Sequence, residues 1–258
     1  MMTQALEFAG TAAQIIPFEF HKKWKDPATN RWNKHVYLWN GKRMTGVTTV
    51  LGIIAKPALI QWAADMACEY VDQARQSEKF TIDDLGEILK EARVAHAQKR
   101  DNAGDRGTDV HALVENYIKA SIQNNGEALV ESDGEDKMLN AFRKWAVDNQ
   151  VRFLESEKKI YSSEWFVAGT ADFTCIINGK RYVGDLKTMK KMWDRTPHFQ
   201  TAAYMKMLVE MGEEKYDGTV IVNINKDTNE LTEYYSYDFE ADIKSFEAAL
   251  TLYRTINL

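Results

Sequence analysis

Gly169-Thr170-Ala171-Asp172-Phe173-Thr174-Cys175-Ile176-Ile177-Asn178-Gly179-Lys180-Arg181-Tyr182-Val183-Gly184-Asp185-Leu186-Lys187 is the stretch whose reading decides the fold. Asn178-Gly179 accepts the positive φ angles of a type I′ turn, so the runs on either side pair as an antiparallel hairpin. With Ile177 opposite Lys180, Cys175 faces Tyr182, Phe173 faces Gly184, and Asp172 falls opposite Asp185. Directly opposed residues hold their Cβ atoms about 4.5–5.5 Å apart, where two carboxylates repel. A bound cation reverses that sign. Strand alternation places Phe173, Cys175, Ile177, Tyr182 and Leu186 on one face, a core surface, and Asp172, Asp185 and Lys187 on the other. Two carboxylates and an ammonium at one end of a hairpin suit a hard cation, Mg²⁺ or Mn²⁺, which prefers oxygen ligands. The alternative, a solvated salt bridge of Lys187 with one aspartate, leaves a negative charge uncompensated.

Outward from the hairpin, the pattern predicts strands over Phe153–Tyr161, Trp165–Ile177 and Lys180–Leu186, then a helix over Pro197–Met211. Thr219–Ile224 and Leu231–Tyr237 flank a polar turn, and a last helix takes Glu240–Arg254. Upstream, Val36–Trp39 and Lys42–Thr45 form a hairpin around Asn40-Gly41. Helices follow over Ala58–Arg75, with Pro57 in its first turn, and from Thr81, an N-cap with Asp84 three residues on, toward Arg100. A third spans Asp105–Ile122, where Val110, Leu113, Val114, Tyr117 and Ile118 make one apolar face, and a fourth spans Glu135–Asn149. The sum is a mixed α/β architecture.

At 258 residues, 45% of them hydrophobic and only 4 proline, the chain can bury a full core. Nothing approaches the ~18 apolar residues of a membrane span, and Met1–Phe20 lacks a signal peptide's basic start, so a cytoplasmic protein with no membrane partner is expected. Cys68 and Cys175 are too few for a disulfide framework or an iron–sulfur cluster, and both are expected to be buried thiols.

Net charge is −5, yet His21–Arg43 holds seven bases (Lys22, Lys23, Lys25, Arg31, Lys34, Lys42, Arg43) against Asp26 alone. Trp24, Trp32, Tyr37 and Trp39 lie among them. Bases interleaved with aromatics can follow a phosphate backbone and stack on unpaired bases. Lys22, Lys23, Lys25 and Trp32 are the candidate DNA contacts. The alternative is a solvated hairpin with some aromatics packed beneath it.

Gly169-Thr170-Ala171-Asp172, Asp185-Leu186-Lys187-Thr188 and Gln200-Thr201-Ala202-Ala203-Tyr204, in this order, resemble the PD-(D/E)XK nuclease superfamily in its RecB-like exonuclease branch. Gly107-Thr108-Asp109-Val110-His111 is similar to the helix that supplies a histidine in that branch. Thr45–Leu51 and Lys56–Trp62 look like segments of phage-type relatives, although the N-terminal hundred residues match less clearly. The resemblance implies a restriction-endonuclease-like mixed sheet flanked by helices, with the core in 104–258 and an N-terminal hairpin and helical elaboration in 1–103. It implies that His111, Asp172 and Asp185 hold the metal, with the Leu186 carbonyl as a further ligand. Lys187 would orient or deprotonate the attacking water, and Gln200 and Tyr204, sharing a helix face, would meet the site and the DNA. The alternative packs Tyr204 as core beside an exposed Gln200, and makes His111, taken by itself, a structural histidine. Glu115, one turn on from His111, either turns to the metal or is a solvated helix residue; Glu157 resembles a frequent acid of the family.

The activity implied is Mg²⁺- or Mn²⁺-dependent hydrolysis of DNA, as an exonuclease acting on single- or double-stranded linear ends in phage recombination, repair or replication. A recombination or single-strand-binding protein is the implied partner. The cysteine quartet of some relatives is absent, so no iron–sulfur cluster is expected. The competing readings are a structure-specific endonuclease and a catalytically weak DNA-end-binding protein.

Overall fold

The computed structural model describes residues 18–54, 57–76, 81–130, 134 and 136–257, without the side chains of 57–58 and 99–108. The chain before Phe18, Lys56, Glu135 and the side chain of Thr108 therefore lie outside the described residues.

Strands β1 (Phe18–Lys25), β2 (Trp32–Trp39) and β3 (Lys42–Arg43) form a three-stranded antiparallel sheet. Asn40 and Gly41 turn between β2 and β3 with φ of 50° and 72°, as the type I′ reading requires. β1 is an addition to the predicted elements; its outer face is charged, which hides the Phe18 and Phe20 alternation. Next come β4 (Thr45–Gly46), α1 (Val47–Leu51) and α2 (Pro57–Arg75). Thr81 and Asp84 form the predicted capping box, over a 3₁₀ turn (Ile82–Asp84) that opens α3 (Leu85–Gln123).

α3 is one helix of 39 residues, where two were predicted with a break after Arg100. Gly104 costs a helix interior only about 1 kcal/mol relative to alanine, too little to stop it. The expected boundary at 103/104 therefore falls inside a continuous helix. Val110, Val114, Tyr117 and Ile118 face the core as predicted, while Leu113 at the edge of that stripe is 37% exposed. Cys175 is buried, but Cys68 is exposed because α2 packs chiefly on α3.

The main sheet is built from β4 together with β5 (Arg152–Ser162), β6 (Val167–Ile177), β7 (Lys180–Lys187), β8 (Gly218–Ile224) and β9 (Leu231–Ser236). α4 (Lys137–Asp148) precedes them, α5 (Thr196–Glu210) crosses from β7 to the parallel β8, and α6 (Phe239–Ile256) closes the described chain. One core layer lies between the sheet and α3/α4, where Phe142, Phe153 and Phe173 interlock with Tyr117. The other lies between the sheet and α1, α5 and α6. This is an α/β protein with a mixed sheet flanked by helices and an N-terminal antiparallel sheet. The latter is fastened to the main sheet through Tyr37, Met44 and Ala168, with Trp39 against Tyr161 at 4.5 Å.

The hairpin has the predicted register from Ile177↔Lys180 to Phe173↔Gly184, with Asn178 and Gly179 at φ 51° and 75°. A Cβ on Gly184 would fall 2.0 Å from the Phe173 ring, so only glycine lets that ring lie across β7. The paired ladder ends there, one step before Asp172. β5 pairs along the opposite edge of β6 as far as Val167, and β4 takes the edge that β7 has left, with Thr45 beside Val167. The result is a fork: β6 and β7 part at Asp172 and Asp185, and β4 closes the gap below.

Candidate active site

Alternation does not carry through the fork. Ala171 packs in the α5/α6 layer and Phe173 in the α3/α4 layer, although residues two apart in an unbroken strand share a face. Asp172 is the residue at the changeover. The residue between its partners' neighbours on β5 is Glu157, with φ of 52°. Asp172 thus corrects the expectation of a plain shared face with Asp185 and Lys187. Its carboxylate turns to the β7 backbone, where Oδ2 accepts the Leu186 N–H at 2.8 Å.

Asp185 is 1% exposed beneath α5. Its Oδ1 accepts from Gln200 Nε2 at 3.0 Å, and the same amide nitrogen is 3.2 Å from the Tyr204 hydroxyl. Gln200 and Tyr204 therefore do share the predicted helix face, and Gln200 is engaged rather than solvated. Oδ2 of Asp185 stands 2.5 Å from Lys187 Nζ and has no partner in hydrogen-bond geometry. Tyr204 lies over Gly169, where a Cβ would come within 2.4 Å of its ring. Thr170 accepts or donates to the Tyr37 hydroxyl at 2.9 Å. Each residue of Gly169-Thr170-Ala171-Asp172 thus has its own structural reason.

His111 of α3 reaches the fork from the other layer. Its Nε2 is 2.9 Å from the Leu186 carbonyl and 3.8 Å from Asp172 Oδ2. His111, Glu115, Glu157, Asp172 and Leu186 line a narrow cleft open to solvent. Glu115 also pairs with Lys119, and Glu157 with Lys159 at 3.2 Å, so both acids have cationic partners at the cleft rim. Lys22, Lys23, Lys25 and Trp32 lie apart from this cluster on β1 and β2; all are exposed, Trp32 at 70%. Tyr37 is buried and Trp39 packs on Tyr161, so these two aromatics serve the sheet contact.

Burial and the neighbouring Asp185 charge push the Asp172 carboxyl up to about 7, against the pull of Lys187, His111 and the Leu186 N–H. Burial works to lower the Lys187 ammonium, but Asp185 and Asp172 outweigh it and hold its pKa above the ordinary lysine value. Burial, then Asp185, raises the Tyr204 phenol well above its usual range. Lys187 is accordingly a cation and Tyr204 a neutral hydroxyl at neutral pH.

Among the described residues, no three His, Cys, Asp or Glu side chains converge closely enough to hold a metal as they stand. The donor set at the fork nevertheless fits a hard cation. Two carboxylates flank the Leu186 peptide and repel each other, and the one nearby ammonium, Lys187, leaves a negative charge to be balanced. Mg²⁺ characteristically takes one or two carboxylates and keeps water for its other positions. His111 is placed to hold the Leu186 carbonyl, so it orients the fork without itself having to be a ligand.

Several site residues lay beyond the motifs. Asn223 on β8 stands beside Lys187 in the parallel register and clamps Met189, accepting its N–H and donating to its C=O, both at 3.0 Å. An amide within the apolar run Thr219–Ile224 is the signal that could have found it. At the far end of the same loop, Arg195 pairs with the buried Asp242 at 2.9 Å.

No known protein family's profile matches the sequence, and no curated protein matches it. Among solved structures, SSO0001, known from its crystal structure, matches at 18% identity over 45% of this chain and 57% of its own, with a TM-score of 0.28. This chain thus spans little more than half of that protein, and a superposition so loose carries no argument.

Proposed function

We propose that this chain is a divalent-metal-dependent deoxyribonuclease of the PD-(D/E)XK type, RecB-like branch, and that it acts as an exonuclease. The observation that carries the proposal is the fork: Asp172 and Asp185 at the parting of β6 and β7, with the Lys187 ammonium 2.5 Å from Asp185 and Gln200 bonded to the same carboxylate.

Asp172, Asp185 and the Leu186 carbonyl would hold Mg²⁺ or Mn²⁺, which when bound polarises a phosphoryl oxygen and lowers the pKa of water. The chain's own groups do the rest. Lys187 keeps its proton on Nζ and presents a fixed positive charge to a phosphate accumulating negative charge. Gln200 fixes the rotamer of Asp185 and takes the Tyr204 hydroxyl as a second partner. His111 steadies the carbonyl between the two acids. Linear DNA is the proposed substrate, and the basic β1–β2 surface its route of approach; a recombination or single-strand-binding protein is the proposed partner.

End-labelled linear DNA and closed circular DNA, each incubated with and without Mg²⁺, test the reading. Metal-dependent release of terminal nucleotides from linear DNA alone is expected. Cutting of the circle would make the protein an endonuclease, and binding of ends without cleavage would make it an end-binding protein.

A further inference from the structure

The loop joining Lys187 to α5 is held at both ends by side-chain hydrogen bonds. Asn223 grips Met189 through both backbone atoms, and the Asn225 side chain donates to the Lys190 carbonyl at 3.2 Å. Arg195 is anchored to Asp242 and to Ser236, and Asp194 accepts the Thr196 N–H at 2.7 Å. Between these anchors Trp193 stands 75% exposed. A loose loop would fold such an indole back onto apolar surface, gaining about 25 cal/mol for each Å² covered. Here the indole stands in solvent on a loop anchored at both ends. The ammonium of Lys191, also exposed, lies 5.2 Å from the ring centroid.

We propose that this loop is a base-stacking subsite: the Trp193 indole takes one unpaired nucleobase of the DNA strand, and Lys191 takes an adjoining phosphate. The inference rests on the nuclease reading of the fork and names the form of DNA that the fork handles. Trp193 is four residues on from the pinned Met189, at most about 14 Å along the chain. The subsite therefore lies within a few nucleotides of Lys187. An aromatic face accepts any base, because every base offers a π surface, and a neighbouring cation answers the phosphate. A loop anchored at both ends has less freedom to lose on binding than a free one, which favours stacking over the cost of ordering. Duplex DNA has no free base face except at its ends, so the subsite discriminates for an unpaired strand.

The test uses the full chain with cleavage blocked by Asp185→Asn, and fluorescein-labelled oligothymidylate and blunt duplex read by anisotropy. Trp193→Ala should weaken oligothymidylate binding by about 5- to 100-fold and leave duplex binding within twofold. Trp193→Phe should restore most of the affinity, and Lys191→Ala should flatten the salt dependence by about one counterion. Circular dichroism shows whether each variant folds, and Trp193→Phe remains informative if the alanine variant does not. Equal oligothymidylate affinity in wild type and Trp193→Ala overturns the subsite, as does an equal loss on both DNA forms. If the unsubstituted chain cleaves linear DNA while Trp193 is neutral, the subsite alone fails. If it neither binds nor cleaves DNA, the nuclease reading fails and takes the subsite with it.

Discussion

Gln200 donates one amide hydrogen-bonding nitrogen to two acceptors at once, Asp185 Oδ1 at 3.0 Å and the Tyr204 hydroxyl at 3.2 Å, so the fork and α5 are a single bonded unit. Groups of this kind, orienting a ligand from behind, typically carry 10- to 100-fold in affinity or rate. Gln200→Ala should lower nuclease turnover by about that factor with an unchanged circular dichroism spectrum. Gln200→Glu should do worse, because it faces Asp185 with a second acid. Wild-type turnover in Gln200→Ala would remove α5 from the site.

Asp185→Asn and Lys187→Ala each should cost cleavage about a hundredfold or more while the protein stays folded. Asn keeps the shape of Asp185 and its Gln200 bond, so a loss there reports charge. Lys187→Ala leaves the buried Asp185 without its cation, and its melting temperature should fall as well. Near-wild-type rates in either variant would falsify the assignment of the fork as the catalytic site.

Asp172 supplies a pH dependence whose sign is fixed. Its pKa in the folded, metal-free protein is about 7, above the roughly 3.9 of an unfolded aspartate. The folded state then binds the extra proton, so this group's contribution is fully present below about pH 4 and is lost as pH rises through about 7. In chelator, the wild type should melt lower at pH 8 than at pH 5.5 by more than Asp172→Asn does. Adding Mg²⁺ should raise the wild-type melting temperature at pH 8, less so at pH 5.5 where the proton competes, and barely in Asp172→Asn. A metal response of equal size in both proteins would place the cation elsewhere.

Gly169 and Tyr204 should be thermodynamically coupled. An added Cβ at Gly169 meets the Tyr204 ring at 2.4 Å. Overpacking of this order costs about 1–3 kcal/mol, a fall of roughly 2–4 °C in melting temperature per kcal/mol for a chain of this size. In a Tyr204→Ala background most of the Gly169→Ala cost should vanish, and additive losses in the double-mutant cycle would deny the contact.

The exposed lysines of β1 should govern salt dependence rather than chemistry. Replacing Lys22, Lys23 and Lys25 with Ala in the Asp185→Asn background should weaken DNA binding and flatten the slope of affinity against salt. The same replacement in the otherwise wild-type chain should leave turnover at saturating DNA little changed. Trp32→Ala should add a further loss where the strand is unpaired. An unaltered slope in the triple variant would assign this surface to another partner.

Much of this is legible in the sequence, and the reason is local chemistry. Asn178-Gly179 dictates its turn, and the turn dictates which residues meet, so the register down to Phe173 and Gly184 followed from counting. The changeover at Asp172 did not, because it depends on Glu157 of another strand and on β4, more than a hundred residues away. The continuity of α3 through 101–104 is hidden for a different reason: its apolar stripe is clear only from Val110 on, and a glycine in a helix interior is tolerated where the helix continues on both sides. Asn223 and Trp193 matter through where they sit, and neither belongs to a spaced motif.

The short strand β4 has a consequence for how the molecule is made. Thr45 and Val167, its contact with β6, are about 120 residues apart along the chain, so this pairing is of the slow, non-local kind. At the usual ~5–20 residues per second of synthesis, β4 leaves the ribosome some 6–24 seconds before β6 exists to receive it. The gap beside Asp172 therefore stays open until that late closure, long after Thr45 and Gly46 have been made.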